Sequence, residues 1–290
     1  MDREKDVNRF GLSRYIQAPT RREIRKKCGF GCVVCGSGIY EYEHVDPEFK
    51  DAEQHVAECI TLLCPGCHGK VTRGQWSKSK IKKHMESPAA LTQGFAKDIF
   101  DLCDGFPFVR IGGMTLKNCR VPIRIYGKDI FRIDPPQDEG GPFLLSGMLC
   151  DKQGRPTLVI DKNEWKASVD SWDITTEGPV IEIRNGPGDI VLRLVASPPN
   201  GLTVERLKMN FGAVELEATA DLLRVGGPLG GGDFSNCLAD NCEVGMDLYP
   251  FGNRQIYIDP NLNWAAKMVK FKVVYGADWV AYYRRSLRGF

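Results

Sequence analysis

Two CxxC pairs, Cys32-Val-Val-Cys35 and Cys64-Pro-Gly-Cys67, constrain the first part of this 290-residue chain more than any other feature. A CxxC turn places two thiolates on one side of a tight knuckle. Two knuckles facing each other make a closed tetrahedral sulfur site, which suits zinc. The gap between Cys35 and Cys64 exceeds that of a simple zinc ribbon, so a small subdomain is inserted between the knuckles. The bland alternative is a set of free core cysteines. Cys28 and Cys59 are left over, and Cys28 competes for a ligand position. Cys237 and Cys242 form a C-x4-C without a partner pair, so no metal is assigned to them.

Clustered cysteines in a chain whose charged start, MDREKDVNRF, is no secretory signal point to metal before disulfides, with the cytoplasm as default compartment. No run approaches about 18 consecutive apolar residues, so no membrane span is expected. Charge is uneven. Residues 1–85 hold 16 Lys/Arg against 11 Asp/Glu, whereas the remainder holds 23 against 26. A basic first third fits a polyanion partner.

The texture divides the chain into a Cys/His/Gly-dense region up to residue 85, a linker helix over 86–105 and a β-rich region over 106–290. Thr20 is read as the cap of a short helix, and Ser87-Pro88 as the start of another. Beyond residue 106 apolar residues alternate at period two, as at Ile123/Ile125, Phe131/Ile133, Ile181/Ile183, Leu192/Leu194 and Val269/Phe271/Val273. Asn185-Gly186-Pro187-Gly188-Asp189, Ser197-Pro198-Pro199-Asn200-Gly201 and the Gly226–Gly232 stretch break these runs. Half-buried antiparallel strands give this pattern, so a sandwich, barrel or solenoid is expected. No repeat of fixed period forces the solenoid. Trp165, Trp172, Trp264 and Trp279 are read as core or interface.

The insert between the knuckles carries the chemistry. It reads Glu41-Tyr42-Glu43-His44-Val45-Asp46-Pro47, then His55, then Leu62-Leu63-Cys64-Pro65-Gly66-Cys67-His68 with Lys70-Val71-Thr72 following. This order resembles the zinc-knuckle branch of the HNH nucleases, the ββα-metal fold, over about residues 20–83. The resemblance implies a small zinc-stabilised ββα-metal domain; with the alternating region after it, the expected chain is α+β, its second domain larger and all-β. It implies that His44 is the general base, and that Glu43 and His68 hold a catalytic divalent ion, Mg²⁺, Mn²⁺ or Ni²⁺. Zinc on Cys32, Cys35, Cys64 and Cys67 is then structural. The position of the family's middle asparagine is taken by Cys59, a poor hydrogen-bonding substitute. His55 and Asp46 are the candidates to replace it, Asp46 also as an extra metal ligand. His44 read alone is a hydrogen-bonded structural histidine, and His68 a further zinc ligand. Glu41, Glu48 and Asp51 read as solvated.

Two basic segments bracket the module: Arg21, Arg22 and Arg25 on one side, and Lys70, Arg73, Lys78, Lys80, Lys82 and Lys83 around Trp76 on the other. They are candidate DNA contacts of the sequence-independent, salt-sensitive kind. The expectation is a DNA endonuclease of restriction or phage defence, with the β-rich region serving targeting, a protein partner or homo-oligomerisation. Its rivals are a catalytically degenerate nucleic-acid-binding module and a structural or assembly protein led by the β-rich region.

Overall fold

The computed structural model describes residues 7–102, 105–227 and 230–248. The fold is α+β and mostly sheet, with few helices and no closed barrel among the described residues. Two compact units form. Among the described residues, one comprises those up to Phe100 together with Glu164–Ile190, the other those of Asp101–Asn163 together with those from Val191 onward. Cys103, Trp264, Trp279 and the alternating run at Val269 lie outside the described residues. No helix among the described residues is long and apolar enough to cross a membrane.

In the first unit, helix α1 (Ala18–Lys27) begins earlier than a Thr20 cap would place it, with Gln17 as N-cap and Pro19 in the first turn. Proline there gives up an N–H that has no helical acceptor anyway. Arg25, Lys26 and Lys27 fill the last turn, where cations complement the helix dipole. Strands β1 (Glu41–His44) and β2 (Ile60–Leu63) pair antiparallel, with Glu43 opposite Thr61 and His44 opposite Ile60. Every residue of β2 is buried, because α1 and α2 (Pro65–Thr72) both pack against it. Helix α3 (Lys78–Glu86) is capped by the Ser77 hydroxyl, which accepts from the Lys80 N–H at 3.2 Å. Ile16, Ile24, Val33, Ile60, Leu62 and Ile81 form the centre of this core.

The stretch read as a linker helix holds more than a helix. Ser87 closes α3, Pro88 precedes α4 (Ala89–Gln93), and strand β3 (Phe95–Ile99) follows. β3 pairs antiparallel with β10 (Glu164–Ser168), and β11 (Asp173–Glu177) with β12 (Val180–Gly186). Trp165 is buried in β10, as its reading as core requires. The later segment is fastened by charge. Arg25, 7% exposed, meets Asp173 through Nε at 2.9 Å and Nη2 at 2.6 Å, and donates to the Tyr42 hydroxyl at 2.9 Å. Burial is the largest single influence and would lower the Arg25 pKa, but the hydrogen bond to Asp173 and the charges of Tyr42, Tyr40 and Asp173 together outweigh it and the net shift is upward.

The second unit is built of strands. β6 (Val121–Ile125), β7 (Lys128–Asp134), β8 (Leu144–Cys150) and β9 (Pro156–Asp161) form an antiparallel meander. β13 (Asp189–Ser197), β14 (Gly201–Phe211), β15 (Val214–Ala218), β16 (Leu223–Gly226) and β17 (Gly232–Phe234) form another. The antiparallel expectation does not extend to every pairing. β4 (Phe108–Ile111) runs parallel to β14 and antiparallel to β5 (Met114–Lys117). β18 (Cys237–Asp240) runs parallel to β5, and β19 (Val244–Leu248) parallel to β6.

These last two pairings keep one register, with Cys237 opposite Met114 at one end and Leu248 opposite Ile125 at the other. Between them Asn118 and Asn241 both take the left-handed conformation, at φ 49° and 56°. Asn118 Nδ2 donates to Asp240 Oδ1 at 2.8 Å, and Arg120 pairs with Glu243 at 3.1 Å. Two strand–turn–strand segments thus lie in layers, residue over residue. Two layers make no repeat of fixed period, which is why periodicity misses them.

Candidate functional site

The four cysteines of the two knuckles converge. Their sulfur atoms all lie within 4.8 Å of one another, and Cys35 Sγ is 3.7 Å from Cys64 Sγ. Zinc–sulfur bonds of about 2.3 Å in a tetrahedron demand sulfur separations of about 3.8 Å, so the set fits zinc. The first knuckle is closed by the Gly36 N–H, which donates to the Cys32 carbonyl at 2.8 Å with Gly36 at φ 76°. That is a left-handed position natural to glycine. Cys64 is the N-cap of α2 and its sulfur accepts from the Cys67 N–H at 3.4 Å. Burial and the neighbouring thiols push the Cys67 thiol up to about 12. A bound cation reverses that preference and deprotonates coordinating thiols. Cys28 stands apart from this set. It is buried against the Thr61 hydroxyl at 3.4 Å, so it does not compete for a ligand position.

Successive residues of a strand face opposite sides, and β1 divides its chemistry accordingly. Glu41 and Glu43 face α2. His68 Nε2 lies 2.9 Å from Glu43 Oε2, and its Nδ1 bonds to Glu41. Both His68 ring nitrogens thus face carboxylate oxygens, which only accept. The other Glu43 oxygen takes the Lys78 ammonium, which also donates to the His44 carbonyl at 2.7 Å. A carboxylate and an imidazole in contact are a donor set that suits a divalent ion. Its positions are engaged, however. An ion entering there displaces Lys78 from Glu43 and takes the place of the His68–Glu43 contact. Among the described residues, the cysteine set alone forms a convergent metal-ligand cluster. Glu41, read from sequence as solvated, is part of this group; its place two residues before Glu43 in a strand was the available signal.

Tyr42 and His44 face the other side. His44 is 9% exposed, under the edge of the Phe49 ring at 5.3 Å. Its Nε2 lies 3.1 Å from His55 Nδ1, and His55 Nε2 lies 2.9 Å from the Ser13 carbonyl. Burial, and then the repulsion that a second charged ring at His55 would add, lower the His44 pKa to about 4, so the ring is neutral at pH 7. The loop after His44 is held without the motif asparagine. Val45 N–H donates to the Cys59 carbonyl at 2.8 Å, so position 59 contributes its backbone to the loop. Asn8 Nδ2 donates to the carbonyls of Phe49 and Ala52, each at 2.6 Å, and Arg14 lies over the Phe49 ring at 4.4 Å. Asn8 carries no signal in the sequence, since its partners are some forty residues away. Asp46 binds Lys82 at the surface and touches neither histidine pair.

The basic residues divide between two roles. Arg25 is buried on Asp173, Arg22 lies 3.6 Å above the Trp172 ring with Nη2 on the Trp172 carbonyl, and Arg21 lies over Tyr15. Helix α1 is therefore not the open basic face its sequence suggests, because its arginines are packed against aromatic and acidic partners. Lys78 likewise serves Glu43. Lys70, Arg73 and Lys83 remain exposed on and beside α2 and α3. Trp76 is part-buried with Lys70 at 4.5 Å and Lys80 at 3.7 Å from its ring.

Comparison with known protein families, with curated proteins and with solved structures finds no match.

Proposed function

We propose that the chain is a metal-dependent HNH-type endonuclease hydrolysing DNA phosphodiester bonds, with a structural zinc in the Cys32–Cys35–Cys64–Cys67 set. The observation that carries this reading is a neutral His44 at the end of β1, directly after a Glu43 held against His68 of α2. A base that is neutral at pH 7 can take a proton from water. β1 ends at His44, so a phosphodiester lying across that end has Glu43 on one side and His44 on the other. When bound at Glu43 and His68, a divalent ion supplies positive charge against the leaving oxygen. Lys78 must then leave Glu43, which frees its ammonium for a phosphate. Lys70, Arg73 and Lys83 neutralise neighbouring phosphates. The cysteine set does no chemistry; it fastens α2 to the chain before β1.

A second reading has its own observation. Each of the three candidate side chains already has a partner within the chain: Glu43 has Lys78, His68 two carboxylates, and His44 Nε2 has His55. A nucleic-acid-binding module without catalysis would look like this. Incubation of wild type and His44→Ala with plasmid, linear and single-stranded DNA, in Mg²⁺, Mn²⁺ and EDTA, decides between them. Cleavage that needs both the ion and His44 supports the nuclease. Salt-sensitive binding without a cleaved product in any lane supports the module.

A further inference from the structure

His55 lies in the right place to do for His44 what the missing asparagine would otherwise do. The Ser13 carbonyl can only accept a hydrogen bond, so the His55 nitrogen 2.9 Å away, Nε2, carries a proton. In a neutral His55 the lone pair is then on Nδ1, and Nδ1 is the atom 3.1 Å from His44 Nε2. His44 must donate to it. The proton of His44 is thereby held on Nε2 and the lone pair on Nδ1. Ser13 belongs to the arm before α1, whose Asn8 also clamps the loop that carries Phe49. The histidine relay and the clamp thus fix the ring from two directions.

We propose that His55 is a positioning residue that locks His44 in its Nε2–H form, leaving Nδ1 as the nitrogen that accepts a proton. The role of that nitrogen in a reaction rests on the nuclease reading; the tautomer itself does not. The chain has four histidines, so nitrogen-15 histidine labelling of the full zinc-loaded protein gives a tractable spectrum, with His44→Ala assigning the ring. The wild type should show His44 with a protonated Nε2 and an unprotonated Nδ1. In His55→Phe the two nitrogens should average between tautomers. His55→Asn, whose side-chain oxygen can accept from His44, should restore the wild-type pattern. Zinc content and circular dichroism identify a variant that has merely unfolded, and His55→Asn then carries the test alone.

If cleavage occurs, His55→Phe should lose kcat by about 10–100-fold, as is usual when the partner orienting a functional imidazole is removed, with KM little changed. An unchanged His44 pattern in His55→Phe overturns the proposal, as does an averaged ring in His55→Asn. A chain that cuts nothing but shows the locked tautomer, lost in His55→Phe, defeats the nuclease reading and leaves the positioning role intact.

Discussion

Helices α1 and α2 flank the same hairpin from its two faces, and they are attached by opposite means. α1 is held by an ion pair: Arg25 reaches a buried Asp173 and the Tyr42 hydroxyl on the strand below. α2 is held by sulfur: Cys64 and Cys67 meet Cys32 and Cys35 of the preceding knuckle. The consequence is a division of charge. Arginine's planar fork suits bidentate and stacked contacts, and α1 spends its arginines on Asp173, Trp172 and Tyr15. Lys70 and Arg73 of α2 take no part in the cysteine attachment and stay exposed. The helix fastened by cysteine keeps both Lys70 and Arg73 exposed for a partner, whereas on α1 Lys26 is the exposed cation.

The sulfur attachment should be the harder to lose. Structural zinc contributes on the order of 10 kcal/mol or more to folding small domains. Cys64→Ser, or a strong chelator on the wild type, should release zinc and unfold α2. Circular dichroism and a changed Trp76 emission would report it. Unaltered spectra after full zinc loss would mean that packing alone attaches α2, and the contrast between the helices would collapse. On the other face, Asp173→Ala leaves a buried guanidinium unpaired and should cost about 3–5 kcal/mol in denaturant unfolding. A joint replacement, Arg25→Met with Asp173→Leu, should recover most of that loss, because a well-packed apolar pair often equals a buried ion pair.

The legibility of these two attachments in the sequence differs for a physical reason. Cys32-x-x-Cys35 and Cys64-x-x-Cys67 are local signatures: each pair is brought together by its own turn. Arg25 and Asp173 stand 148 residues apart, and nothing local in either marks the other, so Arg25 reads as one more surface cation. The hairpin and the helix that carry Glu43, His44 and His68 are what the resemblance implies. Asn8, Ser13 and Glu41 do not, because their roles depend on loop paths that pattern does not encode. In the second unit the alternation marks strands but not partners. The signal for the layered pairing was present as Asn118-Cys119 with Val121 and Asn241-Cys242 with Val244. It is two copies long, too short for a period to emerge.

Lys78 is the cation of α3 that pairs with strand β1 of the hairpin, and replacing it sharpens the contrast further. Lys78→Met should free one Glu43 oxygen and raise Mn²⁺ affinity by roughly tenfold, equivalent to about 1.4 kcal/mol, in a calorimetric titration of the zinc-loaded chain. Equal affinity would show that Glu43 and His68 hold no ion. His44 gives an effect of another kind, seen in stability. The unfolded chain binds a proton at this ring below its ordinary pKa of 6.5, whereas the folded ring resists to about 4. Stability should therefore be level above pH 6.5, decline as pH falls toward 4, and level again below. His44→Gln should remove that share of the decline, measured as the difference between the two proteins' denaturation midpoints across the window.

The smallest effects test the division of charge directly. Each phosphate contact contributes about 0.9 to the slope of log affinity against log salt on duplex DNA. Arg73→Gln and Lys83→Gln should each reduce that slope by up to this amount while moving stability by no more than about 0.5 kcal/mol. Arg22→Gln should do the reverse. It removes a guanidinium 3.6 Å from the Trp172 ring, a contact worth on the order of 1 kcal/mol, and should leave the salt slope unchanged. Fluorescence anisotropy with a labelled duplex at several salt concentrations separates the two outcomes. A slope lowered by Arg22→Gln and untouched by Arg73→Gln would put the polyanion on α1. The arginines there would then have to leave their aromatic and acidic partners on binding, and the cysteine-fastened helix would lose its claim to the interface.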